Sequence, residues 1–141
     1  MNGYLLDTNV LSEPLKPSPE LRVQAWLALV PSSRLHISAV TLGELHRGIA
    51  LLPAGSRRSR LTHWMEHDLP GWFDGRILAV DAAVAETWGS LRAMTTRQGR
   101  TLPVLDSLIA ATALHFTLTL VTRNVRDFQE TGVQLFNPWD A

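Results

Sequence analysis

Cysteine is absent from these 141 residues, which excludes disulfides, thiolate nucleophiles and cysteine-based zinc sites. Lysine is nearly absent as well: Lys16 stands alone, and the other twelve basic residues are arginines. Basic and acidic residues are equal in number, 13 of each, so the molecule as a whole exerts no net pull on a polyanion. No apolar run is long enough to span a bilayer, and no N-terminal stretch has the basic start and apolar core of a signal peptide. The expectation is a cytoplasmic protein with no membrane contact. At this length, with 45% hydrophobic and 18% charged residues, one globular domain covering residues 1–141 is expected.

The chain alternates short apolar runs with helical patterns. Gly3–Leu6 reads as a strand, and Pro14, Pro17 and Pro19 punctuate a turn after it. Ser18-Pro19-Glu20 then resembles a helix start, with Val23, Trp26, Leu27 and Val30 on one face of a helix over roughly 19–30. A strand is expected at Arg34–Ile37, with Ser38 capping a helix that runs to about Leu52. A polar helix follows from Ser56 to about Leu69, ended by Pro70-Gly71. Arg76–Val80 is a further strand, and Asp81 caps a long helix that stops near Gly99. Pro103 opens an apolar helix over 104–116; strands at 118–121 and 133–136 flank a polar loop or short helix. This alternation predicts a three-layer α/β/α domain with a central, mainly parallel sheet.

In such sheets the ligand crevice lies beyond the C-terminal ends of the strands. Asp7 falls at one such end and Thr122-Arg123-Asn124 at another, with Asp127 three residues further on. The two ends supply one edge if their strands are neighbours. Glu44 shares its side of a helix with Val40, Thr41, Gly48 and Leu51, an apolar or small stripe; Arg47 is the alternative, as an ion-pair partner. Asp106 shares a face with Ile109, Ala110 and Ala113, although its nearness to a helix N-terminus also suits an acid.

Four acids from four segments repel one another and need a counter-charge. An all-oxygen set points to Mg²⁺ or Mn²⁺, and such an ion keeps waters, one of which can be activated against a phosphodiester.

LLDTNVLSE at the start, the helix with GEL-H-RG, LPVLDSLIAATAL, and LVTRNVRDF near the end resemble the PIN-domain family, in particular its VapC-like and FitB-like toxins from bacterial toxin–antitoxin pairs. The resemblance runs from about residue 3 to residue 138 with the motifs in order. It implies a PIN fold and an Mg²⁺- or Mn²⁺-dependent endoribonuclease. Asp7 and Asp106 carry over as direct metal ligands, while Glu44 and Asp127 act through water or complete a second site. Thr8, Asn9, Thr122 and Asn124 match the family's polar residues that orient ligands or contact phosphate. The resemblance further implies a homodimer, an RNA substrate, and inhibition by a cognate antitoxin in a heterotetramer or larger assembly.

Other features compete with this reading. His63-x-x-Glu66-His67 fits the pattern of an inverted zinc peptidase, with Glu86 as the nearest third ligand; the plainer account is a solvated helix face. A receiver-like phosphoacceptor domain normally uses a lysine at its site, and Lys16 lies in a proline-rich turn. A degenerate PIN domain acting only as a binding module is a further alternative. Arg92, Arg97 and Arg100 are candidate RNA contacts near the acidic edge, or cations suited to a helix C-terminus. Arg57, Arg58 and Arg60 read as the exposed start of a helix, with contact to an RNA backbone as the alternative. Trp26, Trp64, Trp72 and Trp88 suit a core, a dimer surface or a partner peptide.

Overall fold

Strand β1 (Tyr4–Leu6) lies at the centre of the sheet in the computed structural model, which describes residues 3–141. Its neighbours are β2 (Leu35–Ser38) and β4 (Thr119–Val121), with β3 (Ile77–Leu78) and β5 (Leu135–Phe136) outside them, giving the order β3-β2-β1-β4-β5. All four pairings are parallel. Leu6 stands opposite Val121, so β1 and β4 end together. Gly3 precedes β1 where a Cβ would come within 2.7 Å of the Leu118 side chain; only glycine fits that approach without a shift.

Alternation along the strands divides the core between two faces. Leu6, Leu35, Ile37 and Val121 point to one side, where Val23, Trp64, Leu69 and Phe73 cover them. Leu5 and Leu120 point to the other, against Leu91, Ile109, Ala110 and Phe128. Leu5, Leu6 and Leu120 are almost wholly removed from water, and each such burial stabilises the fold by about 1.5–3 kcal/mol.

Helix α1 (Thr8–Ser12) follows β1 directly and runs into a 3₁₀ turn, Glu13–Leu15. Pro14, Pro17 and Pro19 predict a turn here, and the structure has a helix and a 3₁₀ turn over 8–15 instead. Pro14 sits in the first turn of the 3₁₀ segment, where its missing N–H breaks no bond. Helix α2 spans Leu21–Leu29 rather than starting at Pro19, and no side chain caps it. Helix α3 (Ala39–Ala50) is capped as expected, Ser38 accepting the Val40 N–H.

Helix α4 (Ser56–His63) continues into a π-turn, Trp64–Asp68, and then into α5 (Leu69–Trp72). Pro70-Gly71 therefore lies inside a helical turn instead of breaking one. The wider π-turn ahead of it accommodates Pro70 at the start of α5, where an orphan N–H would otherwise stand. Helix α6 (Ala82–Arg97) is capped by Asp81 and closed by Gly99 at φ 70°, a left-handed position that favours glycine. Helices α7 (Val104–His115) and α8 (Val125–Phe128) complete the layers. No helix among the described residues is long and apolar enough to cross a membrane.

Candidate active site

The strand order reverses on either side of β1, so the crevice of this sheet opens beyond the ends of β1 and β4. Asp7 leaves β1 there. Its N–H still donates to Val121 O of the neighbouring strand (2.9 Å), while its side chain caps α1 by accepting the Thr8 N–H at Oδ1 (2.8 Å). The Thr122 hydroxyl, at the end of β4, donates to Oδ2 (2.8 Å). Asn9 adds weaker contacts at 3.4 Å to both groups, and its Oδ1 accepts the Arg123 N–H. The carboxylate is thus held at both oxygens and 6% exposed. Burial raises its pKa, against the lowering effect of Thr122 and Thr8; Glu44 and Asp127 raise it further.

Thr122 also accepts the Asn124 N–H (3.0 Å), and Asn124 O accepts the N–H of Asp127. Both of these Asn124 bonds are made by its main chain, and the residue is exposed. Asp127 is exposed on the short α8, yet its charge reaches both Asp7 and Asp106.

Asp106 lies in the first turn of α7, and its face proves to be as apolar as the spacing predicts: Ile109, Ala110 and Ala113 are fully buried. Among the described residues nothing donates a hydrogen bond to its carboxyl. Burial, then the charges of Asp7, Glu44 and Asp127, push its pKa up to about 6. The helix is held in place by Ser107, which accepts the Trp88 indole N–H (2.9 Å) and donates to Val104 O (2.6 Å). Neither residue stood out in the sequence as a support for the site. A serine beside a half-buried acid, with a tryptophan one helix earlier, was the only signal.

Glu44 is half-buried on the flank of α3 rather than on its inward ridge, which is Thr41 and Leu45; Leu51, expected beside it, is 68% exposed. Its partner is the Thr8 hydroxyl (2.6 Å), and no ion pair joins it to Arg47 among the described residues.

The structure therefore gathers Asp7, Glu44, Asp106 and Asp127 within electrostatic range of one another, together with Thr8, Asn9 and Thr122. No three Asp, Glu or His side chains among the described residues stand close enough to enclose a metal ion unaided. The donor set still fits a hard cation. It is all oxygen, it is mutually repulsive, and no basic side chain among the described ion pairs neutralises it. Mg²⁺ is commonly held by one or two carboxylates with water in its other positions.

The arginines expected near this edge are largely occupied. Arg92 donates to Leu102 O and stacks over Trp88, and Arg100 donates to Gln129 O and pairs with Glu130; Arg97 is exposed at the end of α6. His63 and His67 stack with centroids 4.4 Å apart, both exposed, at the junction of α4 and the π-turn. Glu13 escaped the sequence reading altogether. It is buried, accepts the Glu20 N–H (2.9 Å) and pairs with Lys16 (2.9 Å), which lowers its pKa and ties α1 to α2.

Acids brought to the carboxyl edge of a five-stranded parallel sheet, around a helix-capping aspartate at the end of its central strand, define the class: the chain belongs to the PIN domain family, whose model matches residues 4–134. It is 41% identical over 135 residues to Toxin FitB of Neisseria gonorrhoeae, covering 96% of this chain and 97% of that protein. It is 34% identical over 136 residues to VapC ribonuclease Y4jK of Sinorhizobium fredii, covering 96% and 97%. The crystal structure of FitAcB from Neisseria gonorrhoeae superposes with a TM-score of 0.94 at 40% identity, covering 98% of this chain and 99% of that one.

Proposed function

We propose that the chain is a ribonuclease toxin, a single PIN domain that hydrolyses RNA phosphodiesters in the cytoplasm with Mg²⁺ or Mn²⁺. Asp7 and Asp106 would hold the cation directly, and Glu44 and Asp127 through water. The observation that carries this is Asp106: a half-buried carboxyl with no hydrogen-bond donor among the described residues, facing three other acids. A first-turn position alone suits one acid, but four acids within range of one another need a counter-charge. The likeness to a VapC ribonuclease and to Toxin FitB supports the reaction and the toxin role. The same reading pairs a homodimer of this chain with a cognate antitoxin.

A bound divalent cation supplies an activated water and neutralises charge building on the phosphoryl oxygens. The residues of the chain do the positioning. Thr122 and the Thr8 N–H fix the plane of the Asp7 carboxylate, one bond at each oxygen. Thr8 orients Glu44 with its hydroxyl, so one short helix arranges two of the four acids.

Attack by water needs no 2′-hydroxyl from the RNA. End-group analysis of RNA cut by partner-free protein tests this: products free of 2′,3′-cyclic phosphate are expected, and cyclic ends would contradict it.

A further inference from the structure

The geometry points to a path for the RNA backbone along the α1–α3–α4 groove, from the four acids to Arg57 and Arg60. This inference rests on the ribonuclease reading and deepens it by locating the substrate.

The groove is continuous with the site. A cleft of about 300 Å³ has Thr8 and Glu44, themselves hydrogen-bonded, at one end and Lys16 and Arg57 at the other. A second cleft of about 450 Å³ shares Leu15, Lys16, Arg57 and Leu61 with the first and continues to Arg60. Gly48 lines the wall beside Glu44, where even a Cβ would meet nothing within 4 Å.

The cations are placed against local stability. Arg57 and Arg58 occupy the first turn of α4, the positive end of the helix dipole, with no acid in that turn and no capping side chain, and Arg60 follows one turn after Arg57. None of the three has an ion-pair partner among the described residues, and like charges a turn apart repel. An arriving polyanion relieves all of this. Arg92 and Arg100, by contrast, already donate to backbone carbonyls. An acidic peptide would also suit the arginines. Only a polymer whose scissile phosphate must sit among the acids uses both ends of the groove, and that favours RNA.

The test uses full-length Asp7→Asn protein, so that binding is read without cleavage, and a labelled single-stranded RNA that the unaltered protein cuts. Adding Arg57→Gln and Arg60→Gln is expected to weaken binding about tenfold and to make the plot of log affinity against log salt shallower by about 1.4, two phosphate contacts at about 0.7 each. Thermal stability should hold or rise, since the change removes Arg57 from a helix N-terminus and a like-charge pair spaced one turn apart. Arg22→Gln, an exposed arginine paired with Glu20 on α2, serves as the control with unchanged affinity. Unchanged affinity and slope in the double variant, while the unaltered protein still cuts RNA, would overturn the groove assignment. Unchanged RNA affinity with lost binding of a protein partner would overturn it too, and assign the arginines to that interface. Absence of metal-dependent cutting by the unaltered protein would instead defeat the ribonuclease reading itself.

Discussion

Thr122 donates its hydroxyl to Asp7 Oδ2 over 2.8 Å, joining two residues 115 positions apart at the ends of adjacent strands. Thr122 Oγ1 also accepts the Asn124 N–H, so one hydroxyl sets both the acid and the loop that carries Asp127. Thr122→Val keeps the shape and removes both bonds. We expect a loss of about 1–2 kcal/mol in urea unfolding and a roughly 10–100-fold loss of Mn²⁺ affinity by titration calorimetry. Thr122→Ser should restore most of both.

Asp7 has two roles that substitution can separate. Asparagine caps a helix as well as aspartate does, and its neutral amide removes a buried charge that burial and two neighbouring acids disfavour. Asp7→Asn should therefore abolish cleavage while equalling or exceeding the parent's stability. Asp7→Ala, which also loses the cap, should cost about 1 kcal/mol relative to Asn. Calorimetric melting of both variants checks this; a strongly destabilised Asn variant would make Asp7 a structural acid.

The raised pKa of Asp106 gives a pH signature in metal-free protein. Between its ordinary value of 3.8 and about 6, the folded chain holds a proton that the unfolded chain has released. Stability contributed at this position is present below that window and falls as pH rises through it. Asp106→Asn should thus stabilise the protein at pH 8, by on the order of 1 kcal/mol after discounting for partial exposure, and hardly at all at pH 4. Urea unfolding in EDTA at the two pH values is the measurement.

The parts of this molecule that could be read from sequence are those where one segment decides its own structure. Ser38 and Asp81 cap helices where their side chains alone suffice, and Asp106 stands out because its own helix places it beside Ile109, Ala110 and Ala113. The adjacency of β1 and β4, on which the site depends, was legible only as a condition, since strand order follows from packing between distant segments. Helix α1 was hidden because proline signals a turn, although a proline opening a 3₁₀ segment breaks nothing. Pro70-Gly71 misled for a related reason, as the π-turn before it re-aims the chain. Glu13 was invisible because its partners, Lys16 and the Glu20 main chain, meet it only once α1 and α2 are packed.

Cleavage of a mixed RNA pool by partner-free protein, with Mg²⁺ or Mn²⁺, with EDTA, and with Asp106→Asn protein alongside, shows whether the acids hold a catalytic cation. Cutting should need the cation and disappear in the variant, with the variant folded and at least as stable above pH 6. Cutting that persists in EDTA would remove the cation from the chemistry, and cutting that survives Asp106→Asn unchanged would remove Asp106 from it.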